Sequence, residues 1–268
     1  MRRSDLKAIR RARLLSEVPE PEMAKMLAPC FVQALPEGTV LCRQGEKLDF
    51  LHIVVSGRVG LFGQTERDEA LVEIFGPGDA FIVPAVALDM ASLLTARMLD
   101  EGRMLMWPAG PFRTQLRSSS PLAYGAMLQL SAYWRILVNQ IRDLKLLSAV
   151  ERLAALLLSL APRRAGATRV MLPGSRGLVA GLLGVAPQSL SRAFSILRPL
   201  GVSGGGREVA IADPGRLREI AGACSLKHAS RQPAARNRPL RDRGASRTMS
   251  RKGKRRQRRT RLPAEERT

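Results

Sequence analysis

Six polar side chains stand within three helical turns of one another in VAPQSLSRAFSILRPLGV, residues 185–202: Gln188, Ser189, Ser191, Arg192, Ser195 and Arg198. Leu190, Ala193, Phe194 and Leu197 repeat on the opposite side at helical spacing. Amides, hydroxyls and a guanidinium on one helix face offer hydrogen bonds to a polar surface. An amide matches adenine bidentately, and a guanidinium matches O6 and N7 of guanine. Gln188, Ser189, Ser191 and Arg192 are therefore the candidate base contacts, with the two serines also suited to phosphate. Arg176, Arg198 and Arg207 are the candidate phosphate contacts.

Such a helix needs a second one to hold it. In RGLVAGLLGVAPQSLSRAF the small Ala180 allows two helices to cross closely, and Gly184 supplies the positive φ of a tight turn. Leu183 and Val185 fill the buried positions beside the turn, and Leu190 faces inward. Pro187 suits a first helical position, where its missing N–H has no partner to lose. Pro199 and Gly201 end the helix. Gly204-Gly205-Gly206 then turns into GREVAIAD, the second strand of a small hairpin, followed by the short helix PGRLREIAG. This is a winged helix-turn-helix, whose recognition helix enters the major groove. Two features oppose it. Ala186 stands where an oxygen-bearing cap is expected, at a cost of ~1 kcal/mol. Gly177 and Gly181 weaken the first helix by up to ~1 kcal/mol each.

Upstream, Met127, Leu130, Trp134, Leu137, Ile141 and Leu144 alternate at spacings of three and four. That is a heptad seam, and it predicts a long helix pairing with a second copy of the chain. AVERLAALLLSL, residues 149–160, reads as a further helix stopped by Pro162. Residues 35–116 differ in texture: short β-rich runs punctuated by Gly38, Gly45, Gly57, Gly60 and Gly63 predict an antiparallel sandwich or roll. Residues 4–28 read as short helices broken at Pro19 and Pro21. The fold class is α+β. The expected division is an N-terminal helical segment over 1–27, a β-roll effector domain over 28–116, a dimerisation helix over 117–148, a winged helix-turn-helix over 149–222 and a basic tail over 223–268.

The net charge of +21 is uneven. Residues 225–268 hold 16 Lys and Arg against 3 acids, which accounts for +13 of it. Almost nothing there is fit for burial, so the tail reads as disordered and suited to polyanions without sequence preference. Cys30, Cys42 and Cys224 are scattered, which fits reduced thiols in a cytoplasmic protein and excludes a cysteine-held iron–sulfur cluster. No run is long and apolar enough for a membrane span, and no secretory signal is present. The chain has no P-loop, dinucleotide turn or nucleophile elbow, so no enzyme is expected.

A glycine-punctuated roll, a heptad helix, ERLAALLL and a winged helix-turn-helix, in that order, resemble the Crp/Fnr transcription regulators over about residues 28–222. QGEKLDFLHIVVSGRVGLFG and GPGDAF resemble that family's cyclic-nucleotide-binding-like jelly roll. Gln188, Ser191 and Arg192 match the trio with which its recognition helix reads DNA, many members having glutamate where Gln188 stands. FIVPAVALD and WRILVNQIRDLKLLSAVERLAALLL are similar to the branch regulating nitrite and nitric-oxide reductase genes. The resemblance implies a homodimer on a palindromic double-stranded DNA operator, RNA polymerase as a further partner, no membrane partner, and control of denitrification or related respiratory genes.

Members that bind cyclic AMP hold its ribose with a glutamate and its phosphate with an arginine. Pro84 and Leu94 stand in those places here. Arg97 lies three residues beyond Leu94, so on a strand it faces the other side. A buried phosphate without a cation is too costly, so cyclic AMP is not expected. The expected effector pocket is Ile82, Val83, Leu88, Met90, Leu93 and Leu94, either a self-filled core or a seat for a flat apolar cofactor such as haem. The resembled branch responds to nitric oxide, and His52, on a strand, is the candidate iron ligand, with His228 in the tail behind it. The competing readings are an effector- or haem-binding module with weak, tail-dominated nucleic-acid binding, and a general nucleic-acid binder.

The tail carries its own expectation. Removing residues 225–268 flattens the dependence of DNA affinity on salt and weakens non-specific binding, with operator preference kept. Equal salt slopes for the full and shortened chains mean that the tail does not touch DNA.

Overall fold

Pro19 caps the N-terminus of its helix instead of interrupting one, and the helical segment before it folds back onto the roll. The computed structural model describes residues 2–66, 68–162 and 166–221. The expectations for the tail, including His228 and Cys224, fall outside the described residues. The chain begins with α1 (Arg3–Ile9), a 3-10 turn (Arg13–Leu15) and α2 (Glu20–Met26). Ile9, Leu14 and Leu15 are buried in the same core as the roll, and the buried Asp5 pairs with Arg103 at 2.9 Å. Residues 2–27 therefore pack as part of the roll.

The roll contains β1 (Phe31–Leu35), β2 (Val40–Cys42), β3 (Phe50–Ser56), β4 (Val59–Gln64), β5 (Glu69–Phe75), β6 (Ala80–Phe81), α3 (Val83–Leu88), β7 (Thr95–Met98) and β8 (Gly102–Pro108). Its strands form two antiparallel four-stranded sheets, β1-β8-β3-β6 and β2-β7-β4-β5. Leu51, Ile53, Met98, Leu105 and Trp107 are fully buried between them and the covering helices. Two helices interrupt a region read as strands and turns. One is α3, inside FIVPAVALD. The other is α4 (Ala109–Ser118), which runs across the expected boundary at 116 and seats Phe112 edge-on against Trp107.

Ser119 caps α5 (Ser120–Leu146) by accepting from the Leu122 amide. At 1.5 Å per residue its 27 residues span about 40 Å. Its inner face buries Leu122, Ala126 and Gln129. Gln129 Nε2 and the Tyr133 hydroxyl both donate to the Ala80 carbonyl, at 2.5 and 3.0 Å, and so tie α5 to β6. The outer face leaves Met127, Leu130, Trp134, Leu137, Ile141 and Leu144 exposed, Trp134 to 68%. Tyr124 and Val138, also exposed, flank the stripe on one side.

The C-terminal part has α6 (Ala149–Leu160), opened by a Ser148–Glu151 capping box, β9 (Thr168–Met171), α7 (Arg176–Leu182), α8 (Pro187–Leu197), β10 (Val202–Ser203), β11 (Glu208–Ile211) and α9 (Pro214–Ile220). Its separate core holds Leu153, Leu157, Val179, Leu190, Leu197 and Val209. The wing is three-stranded in the order β10-β11-β9, since TRVM pairs with β11, a strand the glycine spacing did not signal.

Helix α7 lies against β5 of the roll. A Cβ at Gly181 would stand 3.0 Å from the Leu71 amide nitrogen, tighter than nine in ten Cβ contacts, so a larger residue here requires α7 or β5 to give by a few tenths of an ångström. Arg58 holds Asp100 with Nε and Nη2 and donates from Nη1 to the Pro173 carbonyl at 2.6 Å, which fixes the entry to α7. The helix-weakening Gly181 thus has a packing cause. Gly181→Ala is expected to lift α7 from β5, so that peptides covering 69–75 and 176–182 exchange amide hydrogen faster. Gly177→Ala, whose Cβ meets only a side-chain oxygen at 3.8 Å, is the control and gains about 1 kcal/mol of helix propensity. Equal exchange in both variants refutes the contact.

Candidate DNA interface and effector cavity

The turn between α7 and α8 is built as its sequence requires. Gly184 has φ +60°, its N–H reaches the Gly181 carbonyl at 2.9 Å, and the Val185 N–H reaches that of Ala180 at 3.0 Å. Ala186 is the N-cap of α8 and makes no side-chain cap, and Pro187 follows in the first turn. Leu190, Ala193 and Leu197 are buried beneath α8. Gln188, Ser191, Arg192, Ser195 and Arg198 are exposed, and Ser189 is half-buried. The Ser191 hydroxyl donates to the Pro187 carbonyl and that of Ser195 to the Ser191 carbonyl, both at 3.1 Å. In this state each serine oxygen faces outward as an acceptor. Ile196, 54% exposed on the third turn, adds an apolar side chain that the polar reading of this face had missed.

Arg198 and Arg207 are exposed, as a phosphate contact requires. Arg176 departs from expectation. Its guanidinium lies 3.4 Å from the Phe194 ring centroid, and Nη2 donates to the Gly204 carbonyl at 3.5 Å. Burial lowers its pKa. The charge expected to meet a phosphate also joins the first helix, the recognition helix and the wing, because Phe194 offers its π face in the gap between them.

A second feature lies between the roll and α5. A cavity of about 800 Å³ is walled by β4, β5, residues 82–85, residues 92–94 and residues 130–137. Ile82, Val83, Leu93 and Leu94 line it as expected. Leu88 and Met90 do not: they are exposed to 67% and 57%. The reason is α3, whose C-cap Asp89 takes φ +54° and turns the chain so that these two side chains face solvent. Leu61, Val72 and Phe75 line the cavity instead, and they were legible only as alternating strand residues. Arg97 faces away from it, over the Phe62 ring at 4.2 Å and paired with Glu69.

His52 is the second correction. It sits on β3 opposite Phe81, buried, with its ring stacked on Phe81 at 5.4 Å and 11°. Burial depresses its pKa to about 4, so the imidazole is neutral at physiological pH. It is not among the cavity's residues, and neither is any cysteine or methionine. A haem in this cavity would find no imidazole, thiolate or thioether to hold its iron, and Tyr133, the phenol on its wall, is kept protonated by burial with its hydroxyl donated to the Ala80 carbonyl, so the residues do not fit that cofactor. Among the described residues no group of three or more His, Cys, Asp or Glu is placed to bind a metal. Cys30 and Cys42 are free, and burial pushes the Cys30 thiol up to about 12.

Residues 32–119 match the cyclic nucleotide-binding domain family, and residues 151–220 match the Crp-like helix-turn-helix domain. Together these matches span more than half of the chain. Among solved structures, a Ruegeria pomeroyi protein described as a cyclic nucleotide binding protein is 29% identical, with TM-score 0.57, over 81% of this chain and 97% of its own. A Silicibacter pomeroyi protein described as a cAMP-binding regulatory protein is 27% identical, with TM-score 0.57, over 83% and 100%. FixK2 of Bradyrhizobium japonicum shares the fold at 20% identity and TM-score 0.63, over 72% and 98%. No curated protein matches the sequence. Roll, long helix and winged helix-turn-helix define a two-domain regulator architecture, with a cyclic-nucleotide-binding-type domain ahead of a DNA-binding one. That architecture is the one of the Crp/Fnr transcription regulators, a family of regulators and not of enzymes.

The exposed face of α8 sets three outcomes for selection from randomised half-sites. Arg192→Ala costs ~1–3 kcal/mol on the true site and relaxes one position. Gln188→Glu moves preference at its own position toward cytosine, whose N4 donates to a carboxylate. Arg198→Ala weakens all sequences alike. A change of base preference in the Arg198 variant alone means that α8 docks in another orientation.

Proposed function

We propose that the protein is a homodimeric, sequence-specific DNA-binding transcription regulator whose operator affinity is set by a small effector in the cavity beside α5. The exposed apolar stripe on α5 is the observation that carries it. Six residues of one heptad seam, flanked by Tyr124 and Val138, face solvent on a helix otherwise packed against its own roll. A second copy related by a two-fold axis covers that stripe with its own, and the pair presents two α8 helices to a palindromic operator. Gln188, Ser189, Ser191 and Arg192 read bases; Arg198 and Arg207 hold phosphates. Arg176 positions α8 and the wing, and its guanidinium edge remains available to the backbone.

The resemblance of residues 81–89 and 134–158 to the nitrite and nitric-oxide reductase regulators supports nitrogen-oxide (denitrification) or related respiratory genes as targets. It also supports RNA polymerase as a partner. Nitric oxide acting through haem is the version of the effector that loses support, since His52 stands away from the cavity. No helix among the described residues is long and apolar enough to cross a membrane, and we place the protein's action in the cytoplasm.

The rival reading, an effector module with only tail-driven binding to nucleic acid, drew on Ala186, Gly177 and Gly181. Gly181 now has the β5 contact as its cause. Leu137→Glu puts charge in the middle of the seam and is expected to give monomers in sedimentation. It also abolishes operator binding, because two half-sites about 34 Å apart must be read together. A persisting dimer locates the interface elsewhere. Operator binding no stronger than binding to random DNA at physiological salt favours the rival reading.

A further inference from the structure

We infer that the cavity between the roll and α5 binds an uncharged, predominantly apolar small molecule directly, without a nucleotide phosphate and without a metal-bearing cofactor. The inference rests on the regulator reading and names the chemistry of that regulator's effector.

Three observations carry it. The first is size and shape: about 800 Å³ lies within the range of small-molecule sites, roughly 300–1,000 Å³. The second is the fate of the polar groups on the wall. Ser92 Oγ donates to the Leu94 carbonyl at 2.6 Å, the Tyr133 hydroxyl donates to the Ala80 carbonyl, and Glu73 accepts from Gln140 Nε2 at 2.7 Å. Each is already engaged within the protein. The lining holds one cation, Arg135, which is exposed on α5, and one carboxylate, Glu73 on β5, so it carries no net charge. A phosphate or carboxylate entering here would lose its water and meet a carboxylate in return. The third is the absence from the lining of imidazole, thiolate and thioether, while the Tyr133 phenol is kept protonated by burial and donates to the Ala80 carbonyl. What remains to hold a ligand is Leu61, Val72, Phe75, Ile82, Val83 and Leu94, that is, burial of apolar area.

The other conceivable occupant is the partner's α5. Leu130, Trp134 and Leu137 belong both to the cavity wall and to the heptad seam, but Met127, Ile141 and Leu144 of the seam do not line the cavity. Pairing along the stripe therefore closes the cavity's mouth and leaves the hollow toward β4 and β5 to be filled. Ile82, a β-branched residue, is held on this wall at φ +56°, a conformation such residues rarely adopt. A ligand in the hollow touches Leu130, Trp134 and Leu137 from behind and orders them for the partner helix, so ligand binding and dimerisation reinforce each other. Val72 also lines a smaller cavity of about 210 Å³ against Gly181–Gly184, so the strand that touches the ligand also touches the turn before α8.

The test uses the full chain and Nile red, a neutral apolar dye whose emission rises on burial. Saturable binding at one site per protomer is expected, with displacement by 1-decanol, at least about tenfold weaker displacement by decanoate, and none by cyclic AMP. Val72→Trp fills the hollow, and Leu93→Glu charges its mouth at a side chain already 84% exposed, where folding is not at stake. Each lowers dye affinity by about tenfold or more. Displacement by cyclic AMP or haemin ahead of 1-decanol overturns the inference, as does dye binding unchanged in both variants or no saturable binding. Operator binding is measured on the same samples. Operator preference without a bound apolar ligand overturns this inference alone, whereas a bound ligand without operator preference overturns the regulator reading.

Discussion

Helix α5 has more apolar surface than one chain covers. Its inner face is spent on the roll, where Leu122 and Ala126 are buried and where Gln129 and Tyr133 share the Ala80 carbonyl. Its outer face is left with six exposed large side chains in a stripe about two residues wide, flanked by Tyr124 and Val138. An exposed apolar stripe of this length marks an interaction surface and not a solvated helix. The same helix also supplies one wall of the cavity. Under the proposed function sensing and assembly meet on three residues, Leu130, Trp134 and Leu137, which belong both to the cavity wall and to the exposed stripe.

The second coupling runs through β5. Successive residues of this strand face different tasks: Leu71 meets Gly181 of α7, while Val72, Glu73 and Phe75 reach the effector cavity. Arg58 adds a charged hold on the segment before α7. Energetic coupling between sites needs an element that both sites bias, and under the proposed function β5, with the cavity lined by Val72 and with α7 packed on Leu71, is such an element. Farther on, Arg176 ties α7 to α8 and the wing, so a displacement of α7 is carried to the residues that read bases.

The cavity also separates this protein from what its domain type first suggests. The match to a cyclic nucleotide-binding domain describes the roll, whereas the side chains in the hollow describe the ligand. Pro84 and Leu94, at the positions that the resemblance assigns to the ribose and the phosphate, bring no charge to the hollow, and Arg97 is turned outward to Glu69 and Phe62. The imidazole that sequence order offered as an iron ligand is stacked on Phe81 inside the core and held neutral by burial.

What the sequence by itself determined is what depends on neighbours along the chain. The helix-turn-helix was legible because Gly184, Pro187 and the 3.6-residue period of Leu190, Ala193 and Leu197 are local requirements of a turn and a helix face. The exposed stripe from Met127 to Leu144 was legible for the same reason, and so was the exposed polar face of α8. Tertiary structure alone decided everything that depends on residues distant in sequence. Leu88 and Met90 were apolar and in the right segment, but the left-handed turn at Asp89 directed them to solvent. Leu61, Val72 and Phe75 entered the cavity because β4 and β5 pair in front of α5, a fact that no local period contains. Gly181 read as a defect of a helix until the approach of Leu71 gave it a cause, and Arg176 read as a free charge until Phe194 lay beneath it. Periodicity specifies which face of an element is apolar; which other element covers that face is settled by the packing of the whole chain.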